Sequence, residues 1–367
     1  MTAERVDVAV IGAGVVGLAS AELLAASGRS VVLLERHARP GMETSTHNSG
    51  VIHAGLYYAT GTLKAQLCVE GAERLYTLCG SSGVEAQRCG KLVVARDVAE
   101  VPELERLLQL GRANGALDLD IVDQANVRAR EPHVHAVAAL WSPNSGRIDA
   151  HALVSLLQQR FESAGGILLR HSGLVDGHSV TDGFTLRLAR ESIIATTVVN
   201  AAGLYADEVS ARLGGEPFTI YPCRGEYAEL KASRRELVRG LVYPVPHPSG
   251  HGLGVHLTKT VQGTVMLGPT IRYQESKSDY ENGREPLASF LEETRRLLPD
   301  VTLDDLREGG SGIRAKLHPA HEKFADFMIR ADRKQPLLIH AAGIDSPGLT
   351  ACLAIGARVA ALVAERV

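Results

Sequence analysis

The sequence has no large excess of either charge. Its 367 residues include 39 Lys and Arg against 42 Asp and Glu, which gives a formal net charge of −3. It also contains no block of basic residues. Proteins that bind nucleic acids usually carry a basic face that contacts the phosphates. The composition therefore gives no support for a nucleic-acid partner.

Cysteines are few, and their spacing fits neither a disulfide framework nor a metal site. The five cysteines are an odd number, and no two of them form a Cys-x-x-Cys pair. None lies at a metal-binding spacing with His. Such a pattern is typical of reduced thiols in a reducing compartment. We therefore predict a cytoplasmic protein without a bound metal.

Long apolar runs are also absent. No run reaches the ~18 residues that a membrane-spanning helix needs, so we predict no transmembrane segment and leave peripheral membrane contact open. The apolar start at Val6 breaks at Gly12 and continues as a strand, a turn and a helix. We therefore assign it to the fold and not to a signal peptide.

The most informative feature that is present is a glycine-rich turn. An apolar run leads into Gly12-Ala13-Gly14-Val15-Val16-Gly17, and a helix-forming stretch follows. The first glycine permits the tight turn, the second lets the backbone approach a pyrophosphate, and the third lets the helix pack on the sheet. A second apolar strand, Val31–Leu34, ends on Glu35, whose carboxylate suits a ribose hydroxyl. The sequence therefore predicts a dinucleotide site, and this turn alone does not decide between NAD and FAD.

Strands of the parallel-sheet type recur at separated places along the chain, which predicts a discontinuous domain. From Tyr221 to Pro269, by contrast, short strands alternate with Pro and Gly turns, which favours an antiparallel sheet. We predict an α/β fold, α+β overall, in which a Rossmann-like domain carries an inserted antiparallel-sheet substrate domain. The predicted nucleotide-binding segments are 1–80, 145–215 and 330–367, and the inserted segments are 81–144 and 216–329.

Three further segments carry a resemblance to a known family. They are Thr44–Tyr58, which contains His-Asn-Ser-Gly-Val-Ile-His, Asn200–Asp207, and Gly343–Thr350 before an apolar C-terminal helix. Together they resemble the FAD-dependent oxidoreductases of the D-amino-acid oxidase and glycine oxidase type. Within that group, these segments and Gly254–Thr258 are most similar to the L-2-hydroxyglutarate dehydrogenase/oxidase family. The Gly- and His-rich loop Pro246–Gly252 departs from the family pattern.

The resemblance implies FAD as the cofactor and assigns residues to its parts. The ADP half is expected at the glycine turn with Glu35, where Arg36 either covers the adenine or is a solvated surface residue. Thr44 and Ser45 are expected at the pyrophosphate, with turn or helix capping as their alternative role. A helix that begins near Pro347 would direct its positive end at the flavin and stabilise negative charge there. The full set of predicted cofactor residues is Gly12, Gly14, Val15, Val16, Gly17, Glu35, Arg36, Thr44, Ser45, Asn48, Ser49, Gly50, Val175, Ala201, Ala202, Gly203, Gly343, Ile344, Asp345, Ser346, Pro347, Gly348, Leu349 and Thr350.

Oxidation of a 2-hydroxy acid needs a base for the hydroxyl proton while a hydride passes to flavin N5. Imidazole suits that role near neutral pH. We favour His53, although His47 in the same loop could fill the role or both could be structural. His256 is predicted on a strand, either facing the substrate or buried and hydrogen-bonded. These residues, with Arg314, form the predicted catalytic set.

Arg314 resembles the arginine that grips the substrate carboxylate in this superfamily, because a planar guanidinium binds a carboxylate through two bonds. A dicarboxylate needs a further cation or donor, for which Arg224, Tyr57, Tyr243 and Lys316 are candidates. We therefore predict oxidation of an L-2-hydroxy acid, in the first place L-2-hydroxyglutarate, with a quinone, another carrier or oxygen as electron acceptor. The alternative is an amino-acid or secondary-amine oxidase of the glycine, sarcosine or D-amino-acid oxidase type. A flavin-binding protein without turnover has no need of a carboxylate clamp.

Overall fold

The structure, a computed structural model, describes residues 4–246 and 254–366. Residues 247–252 of the loop that departs from the family pattern lie outside the described residues. Helices and strands are numbered here in chain order. In the described part of the chain the helices are α1 (Val15–Ala26), α2 (Leu63–Ser82), α3 (Val101–Ala113), α4 (Gln124–Arg130), α5 (Ala150–Ser163), α6 (Ala206–Arg212), α7 (Leu287–Arg295) and α8 (Gly348–Ala364).

The strands follow the same numbering. They are β1 (Glu4–Ile11), β2 (Val31–Leu34), β3 (Val51–Ile52), β4 (Ala86–Gln87), β5 (Lys91–Ala95), β6 (Asp120–Asp123), β7 (Ala138–Ser142), β8 (Gly146–Ile148), β9 (Ile167–Leu169), β10 (Asp176–Val180), β11 (Gly183–Arg187), β12 (Ser192–Asn200), β13 (Tyr221–Leu230), β14 (Leu241–Pro244), β15 (His256–Lys259), β16 (Val265–Gly268), β17 (Arg272–Tyr273), β18 (Leu306–Lys316), β19 (Met328–Ala331) and β20 (Leu338–Ala342).

The chain divides into two compact units. The first comprises Met1–Thr46, Ala150–Pro222 and Arg314–Val367, and the second comprises His47–Asp149 and Cys223–Ile313. Compared with the predicted bounds, four segments fall in the other unit: residues 47–80, 145–149, 216–222 and 314–329. The division into a cofactor domain and a substrate domain stays a prediction.

The first unit is built on a sheet with β1 at its centre. β1 pairs in parallel with β2 on one side and with β12 on the other, and the path continues outward to β9 and to the β10–β11 hairpin. Strand β12 runs unbroken from Ser192 to Asn200. Its first half pairs with β11 and its second half with β20, so one strand serves a hairpin and the parallel sheet.

Helix α1 covers one face of this sheet and packs against α8. The approach is close because both helices present small residues: a Cβ on Gly356 would lie 2.8 Å from the backbone of Ala19. Helix α1 ends at Ala26, Ser27 follows it, and Gly28 then has a φ of +87°. Strand β1, the glycine turn and α1 therefore form the strand–turn–helix that the sequence predicted.

The second unit contains a nine-stranded sheet among its described residues. Most of its pairs are antiparallel, as expected, but β5 and β14 pair in parallel at its centre. These two strands come from the two separate inserted segments, which no hairpin connects, so local turn signals gave no indication of their direction. Lys91, the first residue of β5, is paired with Leu241 of β14 and with Ser142 of β7.

Candidate cofactor and substrate sites

The turn after β1 requires glycine for steric reasons. Gly12 has a φ of +102°, and a Cβ there would lie 2.5 Å from the carbonyl oxygen of Ala201. A Cβ on Gly17 would lie 1.9 Å from the carbonyl oxygen of Gly12. The chain thus folds tightly on itself between β1, α1 and the end of β12. This leaves the first amides of a twelve-residue helix at the turn, where an anion is favoured.

Glu35 lies at the end of β2, beside this turn, and is 6% exposed. Its Oε2 accepts a hydrogen bond from the amide of Ala13 at 3.1 Å, and its Oε1 accepts one from the amide of His37 at 2.8 Å. Two backbone donors therefore fix the orientation of the carboxylate. A carboxylate oxygen has a second lone pair, so Glu35 can still accept a ribose hydroxyl.

Ser45 caps helix α1 from outside the helix. Its Oγ accepts a hydrogen bond from the amide of Val15 at 3.0 Å, while Gly14 at the N-cap position offers no side chain. A Cβ on Gly14 would lie 2.8 Å from the same Oγ. The capping role is therefore present, and the phosphate role of Ser45 and of its half-buried neighbour Thr44 stays a prediction.

The side chain of Arg36 has two partners within its own unit, Tyr205 and Glu43. Its guanidinium lies 3.6 Å from the ring centroid of Tyr205 and forms an ion pair with Glu43. Val175, the other residue expected near the adenine, donates its amide to the carbonyl of Arg187 at 2.9 Å. A backbone contact from Val175 to adenine would therefore have to come from its carbonyl group.

The small residues after β12 line the same turn. Ala201 donates its amide to the carbonyl of Ile11 at 3.0 Å, and the amide of Tyr205 returns to Ala202 at 2.9 Å. Gly203 has a φ of +53°, and a Cβ there would meet no atom within 4 Å. The backbone at Gly203 therefore lies beside open space, as a close approach to a ligand requires.

The loop Gly343–Thr350 is a compact turn that leads into α8. The amide of Asp345 donates to Gly343, and the amide of Gly348 donates to Asp345 at 2.6 Å. Asp345 is 7% exposed and lies 3.4 Å from Nζ of Lys316. The helix begins at Gly348, directly after Pro347, so the predicted start of the helix near Pro347 is confirmed.

The remaining residues of this loop, Ile344, Ser346, Leu349 and Thr350, lie on the turn or in the first turn of α8. Thr350 is fully buried, and its place among the cofactor residues stays a prediction. The fit to FAD rests on the first unit: a glycine turn at a helix N-terminus, a fixed acidic residue after β2, and open space at Gly203.

The second unit contains the other half of the loop that carries the family resemblance. The Oδ1 atom of Asn48 accepts a hydrogen bond from the amide of Gly50 at 2.9 Å, which shapes the chain around the half-buried Ser49. Gly50 has a φ of +64°, and a Cβ there would lie 2.6 Å from the carbonyl oxygen of Ile148. His47 is exposed and its ring lies 4.9 Å from that of Tyr280.

A cluster of polar aromatic side chains surrounds the start of β5 in this unit. We call His53, Tyr57, Lys91, Tyr243 and His256 the histidine cluster. The rings of Tyr243 and His256 are stacked, with centroids 3.5 Å apart and planes 12° apart. His256 is 5% exposed, and the choice between a substrate-facing and a structural role for it stays a prediction.

His53 is held in its neutral form. Burial lowers the pKa of His53 to about 3, and the positive charge of Lys91 acts in the same direction. The neutral ring has a nitrogen lone pair that can accept a proton. Burial also raises the pKa of Tyr57 and of Tyr243 well above the usual range, so both phenols keep their protons.

Lys91 is the member of the cluster that the sequence did not reveal. It is 1% exposed, and burial lowers its pKa to about 7, although the nearby Cys68 opposes that shift. A lysine at the first position of an apolar strand usually reaches solvent, so the pattern Gly-Lys-Leu-Val-Val-Ala gave no warning. All five residues of β5, Lys91 included, are buried, and only the structure shows this burial.

The guanidinium of Arg224, a predicted substrate ligand, already contacts residues of its own unit. It forms an ion pair with Glu226 at 2.7 Å, and both side chains are almost fully buried. Its terminal nitrogens also donate to the carbonyls of Asp279 and Asn282, at 3.3 and 2.7 Å. These bonds attach the segment around residue 280 to β13, so we assign Arg224 a structural role.

Arg314 lies near the end of β18 and is half-buried. Lys316 lies two residues later, on the same face of the strand, and reaches Asp345 and His318. Lys316 thus already has a carboxylate partner. The placement of Arg314 leaves its predicted role as a carboxylate ligand open to experiment.

The comparisons with known proteins agree with this geometry. The family profile described as FAD dependent oxidoreductase matches residues 7–362. The chain belongs to this family. It is an enzyme of the oxidoreductase class with FAD as its cofactor. The resemblance stated from the sequence is confirmed.

Three curated relatives that match almost the whole chain are named L-2-hydroxyglutarate dehydrogenases. The chain is 34% identical to the mitochondrial L-2-hydroxyglutarate dehydrogenase of Arabidopsis thaliana, over 97% of this chain and 83% of the relative. It is 30% identical to the L-2-hydroxyglutarate dehydrogenase of Salmonella houtenae, over 97% of this chain and 93% of the relative. The human mitochondrial enzyme of that name is 31% identical, over 98% of this chain and 89% of the relative.

Solved structures confirm the predicted fold class. The FAD-bound L-α-glycerophosphate oxidase of Mycoplasma pneumoniae superposes with a TM-score of 0.88 at 25% identity, over 98% of this chain and 95% of that one. Glycine oxidase from Geobacillus kaustophilus superposes with a TM-score of 0.84 at 22% identity, over 99% and 96%, and shows the fold alone. Within residues 4–246 and 254–366, none of the helices combines the length and apolarity needed to cross a membrane.

Proposed function

We propose that this protein oxidises L-2-hydroxyglutarate to the corresponding 2-oxo acid. The activity named for the curated relatives supports the substrate, and the observation that carries the chemistry is His53. Oxidation of a secondary alcohol requires a group that takes the hydroxyl proton as the C2–H bond breaks. The imidazole of His53, on the loop that follows Gly50 and β3, offers a ring nitrogen for that proton.

The roles of the chain's own residues follow from their chemistry. The imidazole of His53 accepts the proton of the C2 hydroxyl, and the electron pair of the O–H bond becomes the new carbonyl bond. The guanidinium of Arg314 binds the carboxylate next to C2 and orients the C2–H bond. When bound, FAD supplies the acceptor for the hydride that leaves C2.

The residues that would hold FAD are those of the first unit. The turn at Gly12 and the first amides of α1 suit the pyrophosphate, and Glu35 suits the ribose. The loop Gly343–Thr350 and the N-terminus of α8 suit the end of the cofactor where negative charge develops on reduction. Ala201, Ala202 and Gly203 provide the close approach between these groups.

The location and the electron acceptor belong to the same proposal. Five free cysteines, four of them buried, support a reducing compartment such as the cytoplasm. The eukaryotic relatives are named as mitochondrial enzymes, so the compartment needs its own experiment. For the acceptor we propose a quinone, another carrier or oxygen, with contact at a membrane surface as one route to a quinone.

A substrate panel tests the proposed function. Purified protein saturated with FAD is given an artificial quinone-type acceptor and one of L-2-hydroxyglutarate, D-2-hydroxyglutarate, glycine or sarcosine. The proposal predicts reduction of the acceptor with the L-hydroxy acid only, together with an equal amount of the 2-oxo acid. Turnover with an amine and none with the hydroxy acid would replace the proposal by the amine-oxidase alternative.

A further inference from the structure

Lys91 has a buried amine without a partner. The side chain is 1% exposed, and its Nζ atom has no hydrogen-bond partner among the described residues. The described residues also provide no carboxylate that pairs with it, since Cys68 is the one group whose charge acts in its favour. The structure thus contains a potential cation that no described residue of its own unit neutralises.

Such an arrangement is costly for a folded protein. An isolated ammonium loses its hydration on burial, and only a paired anion or good hydrogen bonds compensate for that loss. Evolution usually removes such a lysine or gives it an acid. A buried lysine without an acid is therefore suited to receive an anion from outside the protein.

The surroundings of Nζ fit a carboxylate. The atom lies 4.6 Å from the ring centroid of Tyr57 and 4.8 Å from that of Tyr243. The two ring faces stabilise a positive charge but accept no strong hydrogen bond from it. The hydroxyl of Tyr57 is likewise buried without a partner and can donate to the same anion. The flexible stem of lysine lets its ammonium group turn toward an incoming carboxylate.

Lys91 also acts electrically on the proposed base. Its charge is one of the causes that keep His53 neutral, which places the amine within effective range of the imidazole. His256 is connected to the same place through its stack on Tyr243. A dicarboxylate ligand whose hydroxyl contacts His53 would, through a short carbon chain, bring its second carboxylate close to the amine of Lys91.

Other basic side chains considered for a second carboxylate are already engaged. Arg224 is paired with Glu226 and Lys316 with Asp345. Arg147 donates to Gln87 and to the carbonyl of Lys259. Lys91 differs from all three because its amine has no hydrogen-bond partner in the part of the chain that the structure describes.

We propose that Lys91, assisted by the hydroxyl of Tyr57, binds the carboxylate of the substrate that is remote from the hydroxyl, and so selects dicarboxylate over monocarboxylate 2-hydroxy acids. This inference rests on the function proposed above and names the residue that sets its specificity. Lys91 is a binding residue in this account and takes no part in the transfer of the proton or the hydride.

The test compares two substrates in three variants. L-2-hydroxyglutarate has the remote carboxylate, and L-2-hydroxypentanoate has a methyl group in its place. In K91M, kcat/KM for the dicarboxylate should fall about 100-fold, mainly through KM, because a buried charge pair is lost. The value for the monocarboxylate should stay within about twofold or rise, since the new side chain is apolar. K91R should recover part of the preference because it keeps the positive charge.

K259M is the matched control. Lys259 lies in the same sheet and already has an acid partner, Glu236 at 3.4 Å, so its removal should leave the substrate preference unchanged. If K91M lost activity equally with both substrates, or kept the wild-type preference, the specificity role of Lys91 would be wrong.

A binding experiment separates this inference from the proposed function. Glutarate and pentanoate cannot be oxidised at C2, and their binding is followed as a rise in Tm of the FAD-loaded protein. Glutarate should stabilise the wild type and K259M but not K91M. That result would support the Lys91 subsite even if L-2-hydroxyglutarate were not turned over. Equal stabilisation of K91M and wild type by glutarate would overturn the subsite and leave the proposed oxidation untouched.

Discussion

At the scale of single residues, His53 is the group on which the proposed chemistry depends. In H53N the proton acceptor is lost while a polar side chain of similar size stays. We expect kcat to fall by about 10²- to 10⁴-fold, the usual contribution of a general base. The visible spectrum of the bound flavin should be retained. Steady-state kinetics with L-2-hydroxyglutarate check this prediction.

His47 provides the matched control for that variant. It lies in the same loop, but it is exposed and its ring contacts Tyr280. We expect H47N to retain most of the activity. A large loss in H47N with little change in H53N would assign the base to His47 instead.

The pH dependence follows from the state of His53. Its pKa lies at about 3, below the ordinary value of 6.5, so the imidazole is deprotonated and able to accept a proton throughout the neutral range. We therefore expect kcat/KM for the monocarboxylate substrate to show no acid limb down to about pH 5. A limb centred near the ordinary histidine value would contradict the shielded position of His53.

Lys91 should add an alkaline limb to the pH profile of kcat/KM for the dicarboxylate L-2-hydroxyglutarate. The titratable groups around its amine are Tyr57, Cys68, Tyr243 and His53. Burial lowers the pKa of Lys91 to about 7, because its effect is larger than the opposing effect of Cys68. The amine binds an anion only when protonated, so kcat/KM for L-2-hydroxyglutarate should decline above about pH 7. K91R should not show this decline because guanidinium stays charged.

The stability of K91M has a predictable sign. Lysine in the unfolded chain is protonated below about 10.5, whereas the folded state releases the proton near 7, so burial of the amine costs stability as the pH falls between these values. In the absence of substrate we expect K91M to have a higher Tm than wild type at neutral pH. The difference should narrow toward about pH 10. If K91M had a lower Tm than wild type both at neutral pH and at about pH 10, the aliphatic stem of Lys91 would contribute more stability by packing than its buried amine costs.

Lys91 also shows where sequence reasoning at this scale ends. The sequence placed His53, Tyr57, Tyr243 and His256 among its candidates because their chemistry is evident from residue type. It missed Lys91 because burial of that side chain depends on β14, whose sequence lies far away. It proposed Arg224 because residue type does not show that a buried acid two positions later already occupies the guanidinium.

At the scale of elements, the turn between β1 and α1 is the proposed site for the pyrophosphate of the cofactor. In G12A the new Cβ would lie 2.5 Å from a backbone oxygen at a φ of +102°, so the turn must open. We expect at least about a tenfold loss in FAD affinity, because the amides that face the pyrophosphate move. The ratio of flavin to protein after purification and a titration of the FAD-free protein measure it.

G61A controls for backbone strain alone. Gly61 has a φ of +87°, but a Cβ there would meet no atom within 4 Å. It should lose some stability and keep its flavin. Equal loss of flavin in both variants would mean that general destabilisation, and not the turn, explains the effect.

The elements themselves divide into those that local sequence predicts and those that it does not. The strand–turn–helix at the start and the start of α8 were predicted closely, because glycine, proline and apolar runs mark them locally. The unbroken course of β12 and the parallel β5–β14 pair were not. Both depend on partners distant in sequence, and the burial that stabilises them is decided only when those partners meet.

At the scale of the whole molecule, the family assignment and the local chemistry support one another. The match over residues 7–362 makes the chain an FAD-dependent oxidoreductase, and the three relatives reported above are named L-2-hydroxyglutarate dehydrogenases. The fold alone would not decide the substrate, since glycine oxidase shares it. In the proposals made above, the groups that favour a dicarboxylate 2-hydroxy acid are His53, Arg314 and Lys91.

The measurement that tests the central claim most directly is an anaerobic titration of the flavin absorbance. The FAD-loaded protein is titrated with L-2-hydroxyglutarate and, separately, with D-2-hydroxyglutarate. We predict that about one equivalent of the L-enantiomer bleaches the visible band, that an equal amount of the 2-oxo acid forms, and that the D-enantiomer has no effect. A band that L-2-hydroxyglutarate leaves unchanged, in a protein whose flavin dithionite still reduces, would contradict the proposed function.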